Sequence, residues 1–520
     1  MERTMESSVV EGDEVPSRIL FGSCNSQQLK QPLWPAVLHR NAAAFVWAGD
    51  AIYGDGKDAV GGIIPATPVK LAADYQGLLT DNPGYQGLMQ ASHKGTTILG
   101  TWDDHDFGVD NGDRTYPHKR ESAQLFVDFL EQSNPHYDTK QQFRLMRERA
   151  DAGDGVYGVM AFDFARRAGG REGVGDEVSQ VRLSDEEAGI DPSVPVVSPL
   201  SDRSVAIFLI DVRSHKTPWN HSEEATDYEG DFLGEKQWQW LESSLGRSTA
   251  AVNIVVTGLQ VHVDRFFTGA VAEEWSRFPM AQHRLYQAML QPNVQSPLIV
   301  TGDVHMGEFW RRDCRRLSEA SVPSLPARPL VEVTTSGMSH SWGTCFCSRP
   351  NPGNPVCHYS YFQRVLSIAM HWAHQSLAWK DLIRHEETGA PQYTLALNFG
   401  EFEFDWENRS IATRLLGVDG VEHQTHTWEM ETLSGRSPYI SSTLETKLYE
   451  EEAEKLMPHG AMSTDYYCVA YRGPQSDFLK YYGFLTSLTI IATGVFLPVV
   501  LPLWLLWRLF RRTGQKSKLD

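Results

Sequence analysis

The sequence predicts an α/β protein with largely parallel strands and one C-terminal transmembrane helix. Two observations predict it. Short apolar, β-branched runs alternate with helix-like patterns through most of the chain, and one long run near the C-terminus holds no charged side chain. The 520 residues are 41% hydrophobic and 22% charged, ample material for a core, which excludes a collagen-like, coiled-coil or wholly disordered chain. Net charge is 47 − 66 = −19, which argues against a nucleic-acid partner bound through a general positive field.

The predicted strands are Arg18–Cys24, Ala44–Asp50, Thr96–Asp103, Val205–Asp211, Val252–Gln260, Leu298–Asp303 and Val331–Ser336. Helix-like spacing falls between them at Ala72–Ser92, His118–Gln132, Phe232–Arg247 and Trp275–Gln291. Tyr393–Trp406 and Ile411–Gly417 read as paired strands at the edge of a second sheet. Two stretches interrupt this rhythm. Residues 166–202, rich in Gly, Pro and charge, read as a surface insertion. The other, 345–391, contains an aromatic, amphipathic helix around Tyr361–Leu382 that caps the site, rests on a membrane or packs.

Tyr481–Trp507 is a run of 27 uncharged residues. At about 1.5 Å per residue it reaches roughly 40 Å, more than the ~30 Å hydrocarbon core, and membrane helices tolerate prolines such as Pro498 and Pro502. Arg508, Arg511, Arg512, Lys516 and Lys518 follow, so the positive-inside rule puts the tail in the cytosol and the preceding chain in a lumen or outside the cell. Asn220 and Asn408 stand in glycosylation triplets that fit this topology, and the two lysines near the end resemble a dilysine retrieval signal. Met1–Ile19 holds no apolar run of the signal-peptide kind, which leaves a tail-anchored protein with a cytosolic main domain as the alternative. Of the six cysteines, Cys24 stands alone; Cys314, Cys345, Cys347, Cys357 and Cys468 suffice for two disulfides with one left over.

Ligand-type residues gather at the strand ends: Cys24, Asp50 with Tyr53, Asp103-Asp104-His105-Asp106, Asp211 with Arg213, and Asp303 with His305. A lone strand-end Asp is usually a cap or turn former, but five coincidences exceed what capping explains. Open α/β sheets bind ligands beyond the carboxyl ends of their strands. So many carboxylates in one place repel one another unless cations neutralise them. Oxygen donors with one or two imidazoles suit hard divalent ions, and a thiolate with a phenolate turns the choice towards ferric iron.

Phe21-Gly22-Ser23-Cys24-Asn25, Ala48-Gly49-Asp50-Ala51-Ile52-Tyr53, Thr101-Trp102-Asp103-Asp104-His105-Asp106, Gly302-Asp303-Val304-His305 and Thr334-Thr335-Ser336-Gly337-Met338-Ser339-His340 occur in the order found in PhoD-like (alkaline phosphatase D) metallophosphatases. The resemblance spans about residues 17–420. It implies a four-layer αββα metallophosphoesterase sandwich, here carrying the two insertions; around it the residues themselves read as an N-terminal extension (1–16), an irregular or helical stem (421–480), a transmembrane helix (481–507) and a basic tail (508–520). It also implies hydrolysis of phosphate mono- or diesters by metal-activated hydroxide, with two or more metal ions, iron(III) with calcium or another divalent cation.

By position, Cys24, Asp50 and Tyr53 resemble the iron ligands, with Asp50 bridging, and Asp104, Asp303 and His305 complete the metal set. His105 resembles the histidine that protonates the leaving oxygen, and Arg213 one that holds a phosphate oxygen. Asp103 is the alternative to Asp104, and Asn111 a further ligand. The Gly-His element of related phosphoesterases is not evident, so Gln260 or His262 stands as its substitute. Packing is the competing reading for Cys24 and Tyr53. The partners implied are a phosphoester, a phospholipid among the options, and a membrane. The alternative function is an inactive membrane-tethered scaffold on the same fold.

Overall fold

In the computed structural model, residues 17–58, 62–91, 95–135, 143–164, 179–180, 201–218, 226–264, 273–317, 327–344, 360–375, 381–385, 387–436, 446–473 and 477–516 are described. The N-terminal strands are β1 (Arg18–Gly22), β2 (Ala44–Ala48), β3 (Gly56–Lys57), β4 (Ile63–Ile64) and β5 (Thr97–Thr101). There follow β6 (Gly158–Asp163), β7 (Ser179–Gln180), β8 (Ser204–Leu209), β9 (Val252–Val256), β10 (Pro297–Thr301), β11 (Gly307–Arg316) and β12 (Arg328–Thr335). The last are β13 (Tyr393–Thr394), β14 (Phe399–Asp405), β15 (Ser410–Leu416), β16 (Glu422–Glu429) and β17 (Tyr466–Ala470).

They build two mixed sheets and a small β3–β4 hairpin. The six-stranded sheet has the order β16-β15-β14-β1-β2-β5, and the nine-stranded sheet β13-β11-β12-β10-β9-β8-β6-β7, with β17 paired to β11. In the first, β1, β2 and β5 are parallel. In the second, β8, β9, β10 and β12 are parallel. These strands are apolar on both faces because both faces are covered. Their alternation shows it: Val205, Ile207 and Leu209 of β8 share one buried cluster with Phe21, Phe45 and Leu99 of the first sheet, while Ala206 and Phe208 join Trp238, Leu241 and Leu285 of the helices Glu235–Gly246 and Pro279–Met289. On the first sheet, Trp47 lies 5.9 Å from Trp34 and 6.0 Å from Tyr85, ring to ring, and so seats the helices Trp34–His39 and Pro83–Ala91.

Several expectations change. The pattern read as one helix over Ala72–Ser92 is two, Pro68–Asp81 and Pro83–Ala91. Pro83 has no N–H to donate and disfavours helical backbone at Asn82, so it starts a helix rather than continuing one. Of the stretches Tyr393–Trp406 and Ile411–Gly417, β14 and β15 extend the first sheet beside β1, while β13 pairs with β11 in the second. Residues 421–480 are no stem through most of their length: β16 completes the first sheet and β17 joins the second, where Cys468 is disulfide-bonded to Cys314. Cys345, Cys347, Cys357, Asn220 and most of the 166–202 insertion lie outside the described residues.

The amphipathic helix of the second insertion runs Ser360–Gln375. The chain ends on the helix Asp477–Lys516, whose Tyr481–Pro498 window has a mean hydropathy of 1.3 and is 6% buried. By length and composition it is the one helix among the described residues able to cross a membrane.

Candidate metal centre

Six parallel strands end alike. Cys24, Asp50, Asp103, Asp211, Gly258 and Asp303 each stand two residues beyond the last residue of β1, β2, β5, β8, β9 and β10. Five come from the set expected to carry chemistry, and the sixth is a glycine. Backbone strain gathers at the same points. Cys24 (φ 56°), Asp50 (φ 52°), Asn111 (φ 59°), Asp303 (φ 68°) and His305 (φ 56°) are in the left-handed region, five of the nine non-glycine residues so placed among those described. Each such residue costs of order 1–3 kcal/mol and persists only where its surroundings hold it.

Glycines let the two sheets meet at this end. A Cβ on Gly302 would strike the carbonyl oxygen of Ala48 and lie 2.6 Å from Ser23 Oγ; one on Gly258 would lie 2.7 Å from Asp103 Oδ1. The hydroxyl of Thr101 on β5 donates to the carbonyl of Ile210 just past β8 at 2.8 Å. Strand ends of one sheet thus touch those of the other.

Asp50 sits between two groups of donors. Its Oδ2 lies 3.5 Å from both Cys24 Sγ and Tyr53 Oη. Its ligand atoms, those of Asp104 and those of His105 include a set lying within 4.8 Å of one another. Asp104 is buried: Oδ2 accepts from the backbone N–H of Asn111 at 2.7 Å, and Oδ1 has no hydrogen-bond partner. His305 is held by its backbone N–H, which donates to Ser336 Oγ at 2.6 Å; the same oxygen lies 2.9 Å from Cys24 Sγ. Tyr53 stacks on His105 at 3.9 Å and meets His340 edge-on at 5.0 Å, and His340 lies 4.4 Å from His305.

Other expected residues stand elsewhere. Arg213, read as a phosphate clamp, is fully buried, and its guanidinium donates to Asp103 and to Glu273. Lys216 donates to Glu273 as well, so this acid anchors two buried cations behind the strand ends. His262, read as a substitute ligand, has both ring nitrogens engaged, with Tyr286 Oη and the Leu330 carbonyl at 3.0 Å each. Gln260 donates to Glu308 at 2.7 Å and Thr334 at 2.8 Å. Asn111 turns its side chain to Asp110, at 3.0 Å. Asp106 accepts from the N–H groups of Ala51 and Ile52 at 3.1 and 3.2 Å, fixing the turn that carries Asp50.

Sequence reasoning passed over Asp55, Glu273 and Ser336 as functional residues. Asp55 Oδ1 lies 2.5 Å from His105 Nδ1, and the Asp55 side chain is 4% exposed. Its one signal is a second Gly-Asp pair, Gly54-Asp55, close behind Gly49-Asp50.

The electrostatics fit a cation. Burial, aided by neighbouring carboxylates, pushes Asp50 and Asp303 well above the usual carboxylate range. Burial also pushes the Cys24 thiol up to about 12, against the hydrogen bonds from Ser336 and Ser23, and raises Tyr53. Burial opposes charge on His105, but Asp104, Asp50 and Asp55 outweigh it and raise its pKa well above 6.5. Asp104 is held down to about 2: burial would raise it, and His105, Arg213 and the Asn111 N–H prevail. Cys24, Tyr53, Asp50 and Asp303 thus resist ionisation among protein neighbours alone, and a metal ion would supply the missing counter-charge. The unpartnered Asp104 Oδ1 and the convergence on Asp50 are what such an ion needs.

A family model described as PhoD-like phosphatase matches residues 203–344. The segment runs from the start of β8 past His340 and holds Arg213, Asp303, His305 and Ser336; Cys24, Asp50, Asp104 and His105 precede it. A solved structure of PhoD aligns with 81% of this chain and 71% of its own, at 13% identity and a TM-score of 0.44. No curated protein matches the chain. Over residues 203–344, therefore, the chain is similar to the PhoD-like phosphatases.

Proposed function

We propose that this chain is a membrane-anchored phosphohydrolase that cleaves phosphate mono- or diesters at a site centred on Asp50. The observation that carries the reading is the position of Asp50, 3.5 Å from Cys24 Sγ and Tyr53 Oη on one side and grouped with Asp104 and His105 on the other. Cys24, Tyr53 and Asp50 would hold one cation, iron(III) by the thiolate and phenolate in that donor set; Asp50, Asp104, Asp303 and His305 would hold a second, calcium or another divalent ion. Such a pair supplies activation of water and neutralisation of phosphate charge. The helix, sheet, sheet, helix order implied by the two buried clusters supports the four-layer sandwich as the scaffold.

The chain's own residues do the rest. The buried wall of Asp50, Asp104 and their partners keeps bulk water from the phosphorus. As water oxygen bonds to phosphorus in line and the ester P–O bond breaks, His105 gives a proton to the leaving oxygen; the attacking water keeps one proton on the product phosphate and releases the other to solvent, from which His105 is reprotonated. Asp55, bonded at Nδ1, orients the ring and favours its protonated form. Arg213 contributes by holding Asp103, away from the substrate.

For the anchor, the support is the apolar Tyr481–Pro498 window and its low burial. The Cys314–Cys468 disulfide and the exposed Asn408 favour a lumenal or extracellular main domain. The test of function is hydrolysis by the purified full chain of a soluble monoester, a soluble diester and a phospholipid, before and after chelation. Metal-dependent turnover of at least one is expected; undiminished turnover in metal-depleted protein contradicts the reading. A glycosidase-sensitive mobility shift, lost when Asn220 and Asn408 are replaced, is expected from the proposed topology.

A further inference from the structure

The helix Ser360–Gln375 runs antiparallel beside the C-terminal helix. Trp372 Nε1 donates to Thr486 Oγ1 at 2.6 Å, and Ser487 Oγ donates to the Ala369 carbonyl at 3.2 Å. Further along, a Cβ on Gly494 would lie 2.5 Å from Val365, so the missing side chain is what lets the helices touch. All three contacts lie inside the Tyr481–Pro498 window. Trp504, Trp507 and Arg508 are the aromatic and basic residues that mark one membrane interface. About 20 residues, or ~30 Å, back along the helix lies Ser487, at the other interface. Trp372 is therefore level with that interface, and Val365 lies below it.

We propose that the Ser360–Gln375 helix is a second membrane-contacting element, its Trp372 end in the headgroup layer and its Val365 end among the acyl chains, with phospholipid covering its outer face. The proposal rests on the anchor reading above. The outer face has the composition of an interfacial helix: Ile368 is 56% and Trp372 45% exposed, beside exposed Arg364 and His371. In water such an isoleucine and tryptophan would be uncovered; lipid beside the span covers them. The inner face holds the helix to the domain. Met370 packs against the cluster of Val304, Met306, Tyr393 and Leu395, and His374 Nε2 lies 2.6 Å from the buried Glu308. Val304 and Met306 flank His305. The helix is thus fixed between lipid and the Asp303–His305 turn, which stands one helix away from the bilayer. A phosphoester carried on a lipid headgroup is the substrate this placement favours.

The test uses the full chain in phosphatidylcholine vesicles containing a trace of phosphatidylcholine with a photoactivatable diazirine in its acyl chain. After irradiation, adducts are mapped by mass spectrometry on the tryptic peptide 365–380, on the 481–507 segment and, as a soluble reference, on the helix Glu235–Gly246. Adducts on both the 365–380 peptide and the span, several-fold above the reference helix, are expected. Adducts on the span alone overturn the proposal and leave the anchor standing. Reference-level labelling of both overturns it together with the anchor.

Discussion

Asp55 clasps His105 from the side away from its Nε2: Oδ1 lies 2.5 Å from Nδ1, while Oδ2 accepts from the Asp110 N–H at 3.1 Å. The second bond fixes the carboxylate and the first fixes the ring, which leaves Nε2 for a leaving group. Asp55→Asn is expected to lower kcat by about 10–100-fold with KM little changed. The loss should be larger for an alkyl phosphate, whose leaving oxygen needs a proton, than for 4-nitrophenyl phosphate, whose leaving group departs as an anion. Equal losses on both would reduce Asp55 to a packing role.

Gly302→Ala tests the meeting of the sheets. Its new methyl would press on the Ala48 carbonyl and Ser23 Oγ, neither the end of a long flexible side chain. Thermal unfolding should show a loss of about 1–3 kcal/mol, accompanied by lower metal content, because Asp303 follows directly. An unchanged Tm would mean that the strand ends have room to part.

Arg213→Met separates burial from substrate binding. With the guanidinium gone, Asp103 keeps buried charge without its ion-pair partner and Glu273 keeps only Lys216, and a destabilisation of about 3–5 kcal/mol is expected in denaturant unfolding. A variant of normal stability with a raised KM would return Arg213 to the phosphate.

Much of the centre was legible because chain geometry repeats. An apolar run followed by a polar residue two positions past its end marks each parallel strand, and the chemistry-bearing residues stand there. Asp55, Glu273 and Ser336 were not legible, since each acts through a partner distant in sequence and none sits in a distinctive run. The pairing of Arg213 was not legible for the same reason: Asp-x-Arg past a strand shows a guanidinium near the site, but not the buried acid opposite it. The strands within 421–480 escaped because β16, Glu-His-Gln-Thr-His-Thr-Trp-Glu, is an edge strand polar on both faces, and β17 is short.

The disulfide offers an independent check on the architecture and the compartment. Cys314 and Cys468 are directly opposite across β11 and β17 and close 154 residues of chain. Replacing both by Ser should cost about 2–5 kcal/mol, and reductant should lower the Tm of the native chain but not that of the variant. Insensitivity of the native chain to reductant would mean that the thiols are free.

The most direct test of the metal centre is the metal content and visible absorption of the full chain in detergent, compared with Asp50→Asn and Tyr53→Phe. Bound iron with a charge-transfer band is expected in the native protein. Tyr53→Phe should shift or abolish the band, and Asp50→Asn should lose both metal and phosphoester hydrolysis. Full metal content and undiminished activity in Asp50→Asn would contradict a centre built on that carboxylate.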